Sequence, residues 1–153
     1  GELLLGAVYD PMRDELFFAE TGRGAFLNDQ PIHVSQKIEL IDSLMASSFP
    51  PHGSSQHEHN LALFANFART AQNVRRLGSA ALDLCYVAAG RLDGYWQLQN
   101  NSWDVAAGVL IIKEAGGQVM GIDGSEDYFQ TPYSLVAANP KLLPKILAII
   151  QAV

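Results

Sequence analysis

The sequence predicts an α/β fold in which antiparallel hairpins precede a mainly parallel sheet flanked by helices. Residues 3–34 contain short apolar strands separated by turn residues, without helical spacing between them. After residue 41, strand-like and helix-like segments alternate, as is typical of a parallel sheet with helices on both faces. With 153 residues, of which 48% are hydrophobic and 17% charged, the chain can bury a substantial core.

The hairpin part is predicted from the spacing of its turns. Turn residues at 10–14, 21–24 and 28–29 separate four strands, which we expect at residues 3–9, 15–20, 25–27 and 31–34. The character of the sequence changes near residues 36–40. We therefore divide the chain into a hairpin segment, residues 1–40, which belongs to a truncated N-terminal domain, and a C-terminal α/β domain, residues 41–153.

The α/β part is predicted from apolar periodicity and from the glycines that end its helices. Its strands are expected at residues 43–49, 73–77, 92–98, 118–122 and 134–138. Its helices are expected at residues 59–70, 79–89 and 103–115 and from residue 140 or 141 onward. The third helix is rich in Ala and Gly, so it can pack closely against its neighbours.

Charge and composition exclude some classes of function. A net charge of −6 argues against a general binder of nucleic acid or of membrane surfaces, since Arg75-Arg76 is the only basic doublet. No apolar stretch reaches the roughly 18–20 residues that a membrane span needs. The single cysteine, Cys85, lies in an apolar run and is expected to be buried. It allows no internal disulfide, which fits a cytoplasmic protein.

The start of the chain predicts that it was cut from a longer protein. The sequence has no initiator Met, and the apolar run at residues 3–8 begins without a preceding turn. A secretory signal would need a basic segment, which the first residues lack.

Residues 100–108, Asn-Asn-Ser-Trp-Asp-Val-Ala-Ala-Gly, are the most informative stretch. They place the Asp104 carboxylate in the first turn of the Ala-rich helix. Two interpretations are open at this point: Asp104 caps the helix by accepting backbone N–H bonds, or it is a functional carboxylate.

Together with Glu-Ala-Gly-Gly at residues 114–117, this stretch resembles the C-terminal signature of the inositol monophosphatase family. Further blocks resemble that family in order and spacing: Gly-Ala-Val-Tyr-Asp-Pro at residues 6–11, Gly-Ala-Phe-Leu-Asn at 24–28 and Arg-Leu-Gly-Ser-Ala-Ala at 76–81. The resemblance covers nearly the whole chain. It implies the C-terminal part of a sugar-phosphatase (αβαβα-type) fold and magnesium-dependent hydrolysis of a phosphate monoester of inositol or a related sugar or polyol, by a homodimer.

In that family the Asp of the Trp-Asp pair is a ligand of Mg²⁺, so the resemblance makes Asp104 a metal ligand. The family's other ligands come from a Gly-Glu segment and an Asp-Pro-hydrophobic-Asp-Gly-Thr segment, and neither is present here. We therefore expect the chain on its own to be inactive and its water-activating ligands to lie in the missing N-terminal half.

The expected substrate-binding residues are Gly78, Ser79, Ala80 and Gln97. The first three begin a helix whose free N–H groups can approach a hydroxyl or a phosphate, although Ser79 could equally be a plain N-cap. Gln97 stands where many members of the family carry a Glu that bonds a substrate hydroxyl, which puts inositol phosphate itself in doubt. Arg76 could contact phosphate, or could form an ordinary surface ion pair.

Other candidates have simpler interpretations. His57 and His59 would face different sides of a helix, which argues against a zinc site. His52 follows two prolines in a loop that borders the substrate pocket in the family, and Tyr95 and Trp96 are expected in the core.

The alternative function is a non-catalytic binding or assembly module that remains after loss of the metal-binding half.

Overall fold

The computed structural model describes residues 2–50, 53–128 and 133–153. Within these ranges the chain forms a four-stranded antiparallel sheet followed by a five-stranded mixed sheet with four α-helices. The predicted α/β class is confirmed. No helix in the described part of the chain is long and apolar enough to cross a membrane.

The first sheet is a meander of β1 (Leu5–Asp10), β2 (Glu15–Glu20), β3 (Gly24–Leu27) and β4 (Gln30–Pro31), paired in that order. Asn28 and Asp29 turn between β3 and β4 with φ of 45° and 64°, the left-handed conformation that tight hairpins need. The last strand is shorter than predicted. The Ile32 N–H still donates to the Ala25 carbonyl of β3; the chain then leaves the sheet, and the Val34 N–H donates to the Ala115 carbonyl at the end of the third helix.

The second sheet has the order β6-β5-β7-β9-β8. Its strands are β5 (Leu44–Ser48), β6 (Asn73–Arg75), β7 (Gly94–Asn100), β8 (Gln118–Gly121) and β9 (Tyr133–Ala138). β5 pairs in parallel with β6 and β7, while β9 is antiparallel to β7 and β8. Four strands therefore share one direction and β9 opposes them, because β9 follows β8 directly and consecutive antiparallel strands need no helical crossover.

The helices are α1 (His57–Thr70), α2 (Ala80–Ala88), α3 (Ser102–Glu114) and α4 (Leu143–Ile150). Helices α2 and α3 share one buried cluster with the hairpin sheet, and a second cluster holds the buried side chains of α1 and α4. Both faces of the mixed sheet are thus covered, as predicted. Cys85, Tyr95 and Trp96 are fully buried, which confirms the predicted core positions.

Helix α3 packs closely against its neighbours on two sides. A Cβ added at Gly108 would lie 2.6 Å from the Cβ of Leu84 on α2, and one added at Gly6 on β1 would lie 3.0 Å from the Ala107 carbonyl oxygen. A Cβ at either position would force its neighbour to shift, so the small residues let α3 pack closely against its neighbours, as predicted. The division of the chain at residue 40 stays a prediction.

The carboxylate of Glu114, at the end of α3, ties that helix to the hairpin sheet. Its two oxygens accept backbone N–H bonds from Gly22 and Gly24, each at 2.9 Å. Both glycines have positive φ, at 78° and 87°, so the turn between β2 and β3 is shaped to direct both donors at one carboxylate.

We expect Glu114→Ala to lower the free energy of unfolding by about 2 kcal/mol, because it leaves two turn N–H groups without their charged acceptor. Glu114→Gln should cost less, since it keeps one oxygen acceptor. Urea unfolding measures both. The control is Glu126→Ala, an equal change of charge at an exposed bend. Equal stabilities for Glu114→Ala and the control would contradict this account.

Candidate functional site

The carboxyl ends of the three parallel strands meet at one edge of the mixed sheet, and a cleft of about 350 Å³ lies there. Helix α2 begins after β6, and α3 begins after β7, so both helix N-termini reach the same edge. Ligands of open α/β sheets bind at this edge for that reason. The cleft is lined by Ser48, Phe49, Arg76, Gly78, Ser79, Ala80, Ala81, Gln97 and Asp104.

All five residues that the sequence predicted for the site lie in this one cleft: Gly78, Ser79, Ala80, Gln97 and Asp104. They come from three separate parts of the chain, the start of α2, the middle of β7 and the start of α3. Their assembly at one place is what a binding site requires. The role of each residue toward a ligand stays a prediction.

Asp104 lies in the first turn of α3 without capping it. The N-cap position is Asn101, and the Asn101 amide nitrogen donates to Asp104 Oδ2 at 3.1 Å. The capping interpretation of Asp104 is therefore wrong, because the carboxylate lies three positions inside the helix. Asp104 is half-buried, and the helix N-terminus favours its negative charge.

Ser79 is the N-cap of α2, which confirms the simpler of its two interpretations. Its hydroxyl oxygen accepts the Leu82 N–H at 3.4 Å. The first residues of the helix, Ala80 and Ala81, have no partner for their N–H groups within the helix, and both line the cleft. Gly78, with φ of 101°, provides the turn that aims the start of α2 at the cleft.

The side chain of Gln97 is oriented by its neighbours on the sheet. The Tyr95 hydroxyl donates to Gln97 Oε1, and Ser48, which pairs with Gln97 across the sheet, hydrogen-bonds to Tyr95. Burial raises the pKa of the Tyr95 phenol, more than the Ser48 bond lowers it, so Tyr95 keeps its proton and acts as a donor. The amide oxygen of Gln97 is thus engaged by the Tyr95 hydroxyl, and the other polar group of the side chain, Nε2, is a hydrogen-bond donor.

Arg76 lies at the rim of the cleft, with its guanidinium 5.7 Å from the centre of the Phe49 ring. In the described part of the chain it forms no salt bridge, so the ordinary ion pair is not found there. Sequence reasoning left Arg76 undecided and missed Ser48, Phe49 and Ala81. The sequence did contain a signal for Ser48 and Phe49, because they come at the end of a buried strand whose parallel neighbours lead to the predicted site residues.

Asp83 lies on α2, one turn after Ser79, and is fully buried. Neither of its carboxylate oxygens has a hydrogen-bond partner among the described residues. Burial raises the pKa of this carboxyl to about 7. A neutral acid at this position is less costly than an unpartnered charge.

The raised pKa of Asp83 predicts how the stability of this chain varies with pH. The folded chain holds the Asp83 proton more tightly than the unfolded chain, so the contribution of this carboxyl to stability is fully present below about pH 4 and is lost as the pH rises toward 7, by about 1.4 kcal/mol per pH unit at most. Asp83→Asn should remove this slope and stabilise the chain at pH 8. Urea unfolding between pH 4 and 8 tests it; parallel curves for the two proteins would contradict it.

The described residues offer a metal ion only part of a site. Asp104 places one carboxylate in the cleft, and one of its oxygens is already bonded to Asn101. Among residues 2–50, 53–128 and 133–153, no group of three or more His, Cys, Asp or Glu side chains could hold a metal ion. Mg²⁺ takes about six oxygen ligands. His57 and His59 lie on α1, and His52 lies outside the described residues.

Comparison with known proteins agrees with this geometry. The model of the inositol monophosphatase family matches residues 1–153. The chain belongs to the inositol monophosphatase family. It is 42% identical over 151 residues to an inositol-1-monophosphatase of Mesorhizobium japonicum and 43% identical over 151 residues to a Nus factor SuhB of Pasteurella multocida.

One solved structure is similar to this chain in both fold and sequence. The extragenic suppressor protein suhB of Bartonella henselae superposes with a TM-score of 0.92 at 39% identity, over 97% of this chain and 56% of that one. The two sequence relatives are likewise matched over 99% of this chain and 56% of their own length. The chain thus spans a little over half the length of these members of the inositol monophosphatase family.

Proposed function

We propose that this chain is the C-terminal part of a magnesium-dependent phosphatase that hydrolyses a phosphate monoester of inositol or a related sugar or polyol. Family membership supports the phosphatase class. The observation that carries the proposal is the convergence of the Asp104 carboxylate, the α2 N-terminus and the Gln97 amide on one cleft. The intact protein is expected to be a cytoplasmic homodimer.

Each element of the cleft has a defined chemical task in this proposal. Bound Mg²⁺ would activate water and neutralise charge on the phosphoryl group. Asp104 would supply one of its oxygen ligands, with Asn101 fixing the carboxylate's orientation. The N–H groups of Ala80 and Ala81 donate to substrate oxygens. Because the chain holds one carboxylate of the site, no catalytic step is assigned to it alone.

The Asp104 carboxylate can be tested in the complete gene product that carries this chain. Asp104→Asn should lower kcat/KM for phosphate monoesters on the order of 100-fold, because it removes a charged ligand that stabilises the transition state. Phosphate release with magnesium and a panel of sugar phosphates measures this. Asp42→Asn, in the 3₁₀ turn before β5 and thus at the opposite edge of the sheet, is the control. Equal activity of the two variants would refute the assignment.

A direct prediction concerns the 153-residue chain by itself. We expect it to bind Mg²⁺ only weakly, on the order of millimolar, since one carboxylate beside water does not overcome the ion's reluctance to dehydrate. Calorimetric titration with magnesium measures the affinity, and Asp104→Asn should weaken it further. A micromolar site in this chain would contradict the proposal that it supplies only one of the magnesium ligands.

The second candidate is a non-catalytic binding or assembly module. Its support is that several curated relatives carry the name Nus factor SuhB and not a phosphatase name. The same substitution separates the two candidates, since a binding role would persist in the folded Asp104→Asn protein. A complete gene product that releases no phosphate from any sugar phosphate would favour this second candidate.

A further inference from the structure

We propose that the buried hydroxyl of Tyr95 is a positioning group, which fixes the end of the Gln97 amide that faces the cleft and so presents the Nε2 donor to a hydroxyl oxygen of the substrate. The inference rests on the proposed function, in which the cleft binds a sugar or polyol phosphate. It adds a residue that does not touch the substrate and yet determines how well the protein distinguishes a phosphate ester with hydroxyls from one without them.

The first support is the placement of the two side chains on β7. Tyr95 and Gln97 stand two positions apart, so their side chains lie on the same face of the sheet. Tyr95 is fully buried, while Gln97 is half-buried and lines the cleft. The Tyr95 hydroxyl donates to Gln97 Oε1. The bond therefore joins a group inside the core to a group that a ligand can reach.

The second support is the asymmetry of the amide. Its acceptor end and its donor end are nearly equal in size, and a half-turn about the last bond of the Gln97 side chain exchanges them. Tyr95 favours one of the two arrangements, because its hydroxyl hydrogen needs an acceptor. Burial raises the pKa of the Tyr95 phenol, so this hydrogen is retained. The oxygen end of the amide is thus held toward Tyr95, and the Nε2 end is directed away from it.

The third support is that both capacities of the Tyr95 hydroxyl are used within the protein. Ser48 on β5 pairs with Gln97 across the sheet and hydrogen-bonds to Tyr95. Because the Tyr95 hydrogen goes to Gln97, Ser48 is the donor in this second bond. The phenol thus has a protein partner both as donor and as acceptor. Its effect on a ligand passes through Gln97, which makes it a positioning residue and not a catalytic one.

The strands that carry these groups are also held from the other face of the sheet. Asn60, on α1, is fully buried. Its Nδ2 group donates to the Ser48 carbonyl at 3.4 Å, and its Oδ1 atom accepts the Trp96 Nε1–H at 3.1 Å. Trp96 lies between Tyr95 and Gln97 in β7. One amide thus ties the end of β5 to the middle of β7, so the geometry of the bonds on the cleft side is in place without a ligand.

The test compares inositol 1-phosphate with phenyl phosphate on the complete gene product. Both are monoesters of a six-membered ring, and only the first carries ring hydroxyls that Gln97 could bond. We expect Tyr95→Phe to lower kcat/KM for inositol 1-phosphate on the order of tenfold, which corresponds to the loss of about one hydrogen bond. The same variant should change kcat/KM for phenyl phosphate by less than about twofold, since this probe offers the amide no hydroxyl.

A double-mutant cycle shows whether Tyr95 acts through Gln97. Gln97→Met removes the amide and keeps the length of the side chain, so it should lower kcat/KM for inositol 1-phosphate by a similar factor. Adding Tyr95→Phe to Gln97→Met should cost nothing further, because no amide remains to be positioned. A hydroxyl that serves only folding would cost the same in both backgrounds. Additive losses therefore overturn the inference.

The matched control is Tyr86→Phe, the same change on α2. The Tyr86 hydroxyl donates to Asp10 Oδ2 at 3.5 Å, and Tyr86 is not among the residues that line the cleft. This control should leave both probes unchanged.

If Tyr95→Phe loses phenyl phosphate hydrolysis as well, Ser48→Ala decides, because it removes the donor to Tyr95. A loss of about threefold on inositol 1-phosphate alone would support the inference, and no difference between the probes would overturn it.

Calorimetric binding of the two probes separates this inference from the proposed function. Hydrolysis of inositol 1-phosphate that Tyr95→Phe leaves unchanged overturns the positioning role and leaves the phosphatase standing. Absence of hydrolysis, together with inositol 1-phosphate binding that Tyr95→Phe weakens, overturns the phosphatase and supports the positioning role. If the unsubstituted protein binds inositol 1-phosphate no more tightly than phenyl phosphate, the positioning role is overturned whatever the activity.

Discussion

The close packing of helix α3 between the two sheets is the constraint on which the rest of this structure depends. Glycine favours it at two contacts: Gly108 lets α3 approach Leu84 of α2, and Gly6 lets β1 approach the backbone at Ala107. Glu114 then binds the far end of the helix to the turn between β2 and β3. Because α3 is fixed along its length, its first turn is fixed as well, and with it the position of Asp104.

The order of the strands in the mixed sheet brings the polar groups near the starts of α2 and α3 into one cleft. With β5 between β6 and β7, the starts of α2 and α3 lie on the two sides of one strand end, and the groups that follow each strand face a common cleft. The proposed division of work follows from that arrangement: a carboxylate on the α3 side and backbone donors on the α2 side. The backbone positions that carry these polar groups are thus separated by the spacing between strands, which side-chain motion does not change.

Two buried polar residues behave differently in this framework. Tyr95 is buried with its hydroxyl bonded to Ser48 and Gln97, so its burial orients the wall of the cleft. Asp83 is equally buried, yet its oxygens have no partner in the described part of the chain, and its carboxyl holds a proton up to about pH 7. The difference is that a phenol needs only a neutral hydrogen bond, while a carboxylate must be paired or neutral when it leaves water.

The sequence by itself determined the fold class, the places of most strands and helices, and the family, since apolar spacing, glycines and the Trp-Asp motif are local signals. It also named the five residues that meet in the cleft. The antiparallel direction of β9, the early end of β4 at Pro31 and the non-capping position of Asp104 were decided by tertiary structure. So were the place of Arg76 over Phe49 and the bond from Tyr95 to Gln97. These depend on contacts between residues distant in the chain, or on which way one side chain turns, and neither is encoded in a local pattern.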